Sequence, residues 1–155
     1  MGGKAKLSTG EPFMSTNAGL PIPTTLAPWL SVRNSSQAVE FYKSAFAAVE
    51  VFSLDPGDAL IARLSIEGAE FWVADESPEH GNFAPPTLNG STVRMILTVA
   101  DPDALFARAI QAGATEVYPV HDEDYGWRLG RLTDPYGHNW EICRPLEKAQ
   151  WLAKI

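Results

Sequence analysis

Apolar residues recur along this chain in two periods, and the order of the periods repeats. Leu26-Ala27-Pro28-Trp29-Leu30-Ser31-Val32 reads as a strand, with Pro28 near its start or on an edge. Asn34 then stands as a helix cap with Gln37 three residues on, followed by Ala38, Phe41, Tyr42 and Ala45 at helical spacing. The helix runs to about Ala47. Val49–Leu54, Ala59–Ile66 and Glu70–Ala74 read as three strands, parted by the turn residues Asp55-Pro56-Gly57-Asp58 and Glu67-Gly68. The order begins again with a strand from Val93 to Ala100. Asp101-Pro102 is a cap with proline at the first helical position. The helix it opens carries Leu105, Phe106, Ala109 and Ile110 and stops at Gly113. Thr115–Val120, Trp127–Thr133 and His138–Cys143 are three more strands.

Each half therefore reads strand, helix, strand, strand, strand. Leu30-Ser31-Val32 answers Leu97-Thr98-Val99, and Ala45-Phe46-Ala47 answers Ala112-Gly113-Ala114 at the same offset. That offset is longer than the roughly 20–50 residues of solenoid repeats, so the pattern predicts one α+β domain of two pseudo-symmetric βαβββ modules. The first module spans residues 25–75 and the second 93–144, joined by a Pro-, Gly- and Asn-rich linker at 76–92. Residues 1–24 show no periodicity and are expected to be flexible, with Met14 a candidate native start. Residues 145–155 form a tail with helical character. A module of about 50 residues is marginal alone, so each sheet needs the other half, or a second chain, to bury it.

Composition narrows the partners. The chain has 155 residues, a net charge of −7 and a pI near 4.9. It lacks the basic footprint of a nucleic-acid binder. No run approaches the roughly 20 apolar residues of a membrane span, and the N-terminus has no secretory apolar segment. The single cysteine, Cys143, allows no internal disulfide. These features predict a cytoplasmic protein with no nucleic-acid and no membrane partner.

The stretch Asp134-Pro135-Tyr136-Gly137-His138-Asn139-Trp140-Glu141 resembles the signature near the end of the glyoxalase/bleomycin-resistance/dioxygenase superfamily, also called vicinal oxygen chelate proteins. Tyr125-Gly126-Trp127-Arg128, and Ala38 through Phe46, resemble its PhnB-like branch in particular. The resemblance covers roughly residues 25–145. It implies a glyoxalase/bleomycin-resistance-type fold, with the modules paired as a curved mixed sheet around a cleft, and commonly a homodimer. It also implies a divalent metal held by His or Gln and Glu from the first and last strands of each module. Carried over one by one, those positions fall on Ala27, Trp72, Arg94 and Glu141, with Glu70 two residues from Trp72 on the same face. Alanine cannot ligate and an obligate cation repels a metal. The chain is thus expected to work without a metal or other cofactor; Glu141 would be the ligand if one were bound. Arg94 and Glu141 are instead expected to pair within about 4 Å.

The superfamily holds both enzymes and binders, and no catalytic residue can be assigned. The ligand-lining residues expected of the cleft are Trp29, Ser31, Trp72, Arg94, Ile96, Thr98, Trp127 and Glu141. Aromatic walls suit a small aromatic or cationic molecule; equally, the rings could fill the cavity as core. Three functions follow: a metal-free small-molecule binder, a divalent-metal-dependent lyase, isomerase or dioxygenase, and an interaction protein with a filled cleft. Of the histidines, His138 is expected to make a structural hydrogen bond in its turn and His80 to be solvated. His121 stands beside Asp122-Glu123-Asp124, read as an exposed acidic loop. No Ser-His-Asp order and no phosphate-cradling glycine loop is present.

Overall fold

The computed structural model describes the backbone of residues 4–7 and all of residues 19–55 and 59–147. Its strands are β1 (Lys4–Leu7), β2 (Trp29–Val32), β3 (Val49–Asp55), β4 (Ile61–Ile66), β5 (Ala69–Asp75), β6 (Arg94–Thr98), β7 (Thr115–Asp122), β8 (Trp127–Thr133) and β9 (Asn139–Pro145). Its helices are α1 (Ser35–Phe46), the one-turn α2 (Pro85–Leu88) and α3 (Pro102–Ala112), with a 3-10 turn at Pro78–His80. No helix among the described residues is long and apolar enough to cross a membrane. One sheet has the order β1-β3-β4-β5-β2 and the other β6-β9-β8-β7. In both, the first strand of the module runs parallel to the last, and the remaining pairs are antiparallel. The two βαβββ modules predicted by periodicity are therefore present, strand for strand. The caps are also as expected. The Asn34 side chain accepts from the Gln37 amide at 3.1 Å, and Asp101 accepts from the Ala104 amide at 3.1 Å.

Two differences have local causes. The first strand begins at Trp29, three residues after Leu26. Pro28 has no N–H for the ladder, and its carbonyl caps the strand by accepting from the Trp72 amide at 2.8 Å. Lys4–Leu7, in a segment that shows no periodicity, adds a strand to the outer edge of β3. The turn expected at 55–58 and the helical tail expected up to 155 lie largely outside the described residues, as do 1–3 and 8–18.

One apolar cluster holds both modules. Leu30 and Val32 of β2, with Phe71 and Val73 of β5, bury against Tyr42, Ala45 and Phe46 of α1. Met95 and Leu97 of β6, with Trp140 and Ile142 of β9, join the same cluster beside Phe106 and Ala109 of α3. Trp140 lies 4.8 Å from the Phe46 ring and 5.5 Å from the Phe71 ring, so module two inserts its largest side chain into module one. Full burial of each such side chain stabilises by roughly 1.5–3 kcal/mol. The halves thus supply within one chain the apolar cover that neither has alone. Because strand side chains alternate, Trp29, Glu70, Trp72, Arg94, Ile96 and Glu141 lie on the opposite faces of their sheets.

The turn between β8 and β9 locks this arrangement. Asp134 is only 3% exposed, and its carboxylate accepts four hydrogen bonds. Tyr42 Oη donates to Oδ2 at 2.5 Å and Trp140 Nε1 at 2.9 Å; the amides of Tyr136 and His138 donate to Oδ1 at 2.9 and 3.0 Å. A carboxylate with two donors on each oxygen can be buried without an ion-pair partner. Burial first, and then the Asp134 charge, push the Tyr42 hydroxyl well above its ordinary pKa, so it remains a donor. Gly137 has φ +93, and a Cβ there would meet Pro85 Cβ at 2.7 Å. His138 Nε2 donates to the Ser31 carbonyl at 2.9 Å, the structural bond expected of it, which ties β2 to the second module.

Candidate functional site

The open face of the first sheet is aromatic with one embedded ion pair. Cross-strand register aligns Phe52, Arg63, Trp72 and Trp29 across β3, β4, β5 and β2. The Trp29 and Trp72 rings stack at 5.9 Å with 22° between planes, and Phe52 meets Trp72 edge-on at 5.8 Å. The Arg63 guanidinium lies 5.4 Å from the centre of the Trp72 ring and pairs with Glu70. Trp29 is 47% exposed, so this stack is a surface and not core. Phe52, Arg63, Glu70 and Trp72 line a shallow cavity here.

The open face of the second sheet is polar. The equivalent register aligns Tyr118, Arg131, Glu141 and Ile96 across β7, β8, β9 and β6. Arg94 Nε lies 3.6 Å from Glu141 Oε1, the ion pair expected where the superfamily's metal-ligand positions fall. Thr133 donates to Asn139 Oδ1 at 3.0 Å, and the Thr98 hydroxyl lies 3.6 Å from Cys143 Sγ. Burial raises the pKa of the Cys143 thiol, which leaves it a packed side chain and no nucleophile. Tyr125, in the turn between β7 and β8, feels the charges of Glu141 and Arg94, which places it at the margin of this face. Its hydroxyl is pushed up by desolvation and then by Glu123 and Glu141. Trp127 opens β8 on the side of Arg131.

The eight residues expected to line one cleft thus fall into two groups, Trp29 and Trp72 on one sheet, and Arg94, Ile96, Thr98, Trp127 and Glu141 on the other. Ser31 is 8% exposed, with its carbonyl taken by His138. The two modules meet at a cavity of about 260 Å³ lined by Pro28, Glu70 and Phe71 from the first module and Arg94, Ile96 and Trp140 from the second. Of the eight, Arg94 and Ile96 reach it. Sequence reasoning missed Arg63, Arg131, Phe52 and Tyr118. The signal was there: Ala62-Arg63-Leu64-Ser65 and Gly130-Arg131-Leu132-Thr133 repeat one pattern in equivalent strands.

A divalent ion needs three or four N or O ligands converging with an open position. Among the described residues no three His, Cys, Asp or Glu side chains are so grouped. At the superfamily positions, Glu141 is already neutralised by Arg94, and Glu70 by Arg63. The donor set does not fit a metal. His121 does not supply one either. Its two ring nitrogens bond the Pro119 carbonyl and Glu123, each at 2.7 Å, and these raise its pKa in that order. His80 is exposed and bonds Ser77.

The sequence profile of the glyoxalase-like domain family matches residues 29–143, which take in both modules. The chain belongs to this family. A relative of this glyoxalase-like protein in Mycobacterium bovis, an uncharacterized protein, is 36% identical over 132 residues, covering 82% of this chain and 87% of the relative. An Arabidopsis thaliana protein, also uncharacterized, is 33% identical over 144 residues, covering 82% and 86%. Its X-ray structure aligns with a TM-score of 0.60 over 79% of this chain and 98% of its own. A glyoxalase/bleomycin resistance protein/dioxygenase from Nocardioides, 22% identical, aligns with a TM-score of 0.61 over 84% and 89%, and so shares the fold.

Proposed function

We propose that this glyoxalase-like protein binds a small planar organic molecule against its open sheet faces, without a metal. The observation that carries this reading is the stacked Trp29–Trp72 pair, which leaves half an indole bare on a face that its family uses as a cleft. Stacking on such a ring contributes about 0.5–1.5 kcal/mol beyond the area it buries. Binding of this kind needs no nucleophile and no Lewis acid. Trp72's cation–π position is filled by the chain's own Arg63, which argues against the cationic ligand that the aromatic residues suggest in sequence.

We further propose a homodimer of the PhnB-like branch. β2 and β6 each end their sheet with an unpaired edge, and the apolar Trp29 and Ile96 stand exposed on those strands. In a dimer, face one of each chain would close over face two of its partner. The Tyr125-Gly126-Trp127 turn that carries the branch resemblance would form the wall of the closed site. Titration of tryptophan fluorescence with naphthalene-sized aromatics tests the reading. Saturable quenching in the presence of chelator is expected, and Trp72→Ala should weaken it at least about fivefold. Chelator-sensitive binding would replace this reading with the metal-dependent lyase, isomerase or dioxygenase.

A further inference from the structure

The two modules can be compared residue by residue through their ladders. Arg63 faces Trp72 across the β4–β5 ladder, and Arg131 faces Glu141 across the β8–β9 ladder. One diagonal step away, Ser65 faces Glu70 and Thr133 faces Asn139. Glu70 is the carboxylate that pairs with Arg63. Its counterpart beside Arg131 is therefore a neutral amide, and Asn139 spends its oxygen on Thr133.

Among the described residues Arg131 has no polar partner. Every other arginine of the chain has one: Arg33 on Glu76, Arg63 on Glu70, Arg94 on Glu141, Arg108 on the Ser44 carbonyl, Arg128 on Asp103 and Asp122, and Arg144 on the Ala100 carbonyl. Arg131 is half-buried, and its Nε is buried and unpaired. The nearest carboxylate on the ladder, Glu141, is paired with Arg94; a partly desolvated guanidinium with no ion pair of its own is unfavourable, and in proteins such charges are paired. On neighbouring strands of this face Arg94 and Arg131 share one carboxylate, Glu141, and Arg94 holds it.

We propose that the place left by Asn139 beside Arg131 takes the carboxylate of the ligand, so that the molecule bound is an aromatic acid. One unpaired cation matches a monoanion, and the guanidinium fork matches the two oxygens of a carboxylate. The inference rests on the planar-ligand reading above and adds the charge of the ligand and the residue that reads it.

The test uses the full chain and three probes with one ring system: 2-naphthoate, neutral 2-naphthamide and the 2-naphthyltrimethylammonium cation, titrated by calorimetry. Naphthoate should bind at least about tenfold tighter than the cation. Arg131→Gln should weaken naphthoate about tenfold or more and leave naphthamide within about twofold. Asn139→Glu should do the same from the other side, because the new carboxylate occupies the guanidinium as Glu70 occupies Arg63. Circular dichroism checks that both variants fold, and either one alone decides. Equal or tighter binding of the cation, or unchanged naphthoate affinity in a folded variant, overturns the assignment. If naphthamide and the cation bind while naphthoate does not, the anion site is wrong and the planar-ligand reading stands. If none of the three binds, both are wrong.

Discussion

Replacing Asp134 by asparagine changes one atom's chemistry and should cost a large part of the fold's stability. The wild-type Oδ1 accepts two backbone amides, and Oδ2 accepts Tyr42 Oη and Trp140 Nε1. Asparagine keeps the first pair through its oxygen. Its amide nitrogen then faces the indole N–H, donor against donor. The Tyr42 hydroxyl can turn to accept, but the indole cannot. The loss is one charge-assisted bond weakened and one buried donor unsatisfied, at about 1–3 kcal/mol each. Allowing for relaxation, about 2–4 kcal/mol is expected, or a fall in Tm of roughly 5–15 °C for a chain of this size. Tyr42→Phe removes only the hydroxyl from the same network and should cost about 1.5–3 kcal/mol. Because both changes touch one bond, the double variant should be less destabilised than the sum by at least about 0.5 kcal/mol. Urea denaturation at neutral pH of the wild type, both single variants and the double variant measures all four corners. A stability of Asp134→Asn within about 0.5 kcal/mol of wild type would refute the view that this carboxylate joins the modules.

Gly137→Ala meets both a positive φ and the Pro85 ring, and should lower stability by about 1–3 kcal/mol in the same assay. Glu141→Gln breaks an ion pair whose arginine is partly solvated. It should change stability by less than about 1 kcal/mol, which urea midpoints would resolve. His121 has its pKa raised above the ordinary 6.5 by the Pro119 carbonyl and Glu123. Its stabilising contribution is then complete below about pH 6.5 and lost as pH rises through the folded-state value. Glu123→Gln should move the His121 proton resonance titration down towards 6.5, and an unchanged midpoint would deny Glu123 that role.

Most of the fold is legible in the sequence because both modules repeat one order of strand and helix periods, and α1 and α3 each carry a side-chain cap. β1 is not legible: Lys4–Leu7 is a four-residue strand in a segment without periodicity, paired with β3. The Arg94–Glu141 pair is legible through the superfamily resemblance, whose ligand positions fall on those two residues. The division of the predicted cleft residues between two faces is not, since it depends on how two sheets pack about Trp140. Nor is the solitude of Arg131, which depends on the β8–β9 register. Only that register shows Asn139 where the first module has Glu70. The signature Asp134–Glu141 marks the family, yet most of it serves the fold: Asp134, Gly137, His138 and Trp140 hold the modules together, and Asn139 and Glu141 reach the open face.

The most direct test of metal-free aromatic binding combines elemental analysis of the protein, purified without chelator, with tryptophan quenching by 2-naphthamide before and after EDTA. The account predicts substoichiometric metal, saturable quenching unchanged by EDTA, and no rise in Tm on adding zinc, nickel, manganese or iron(II). Near-stoichiometric metal that disappears in Glu141→Ala, with quenching lost in EDTA, would contradict it.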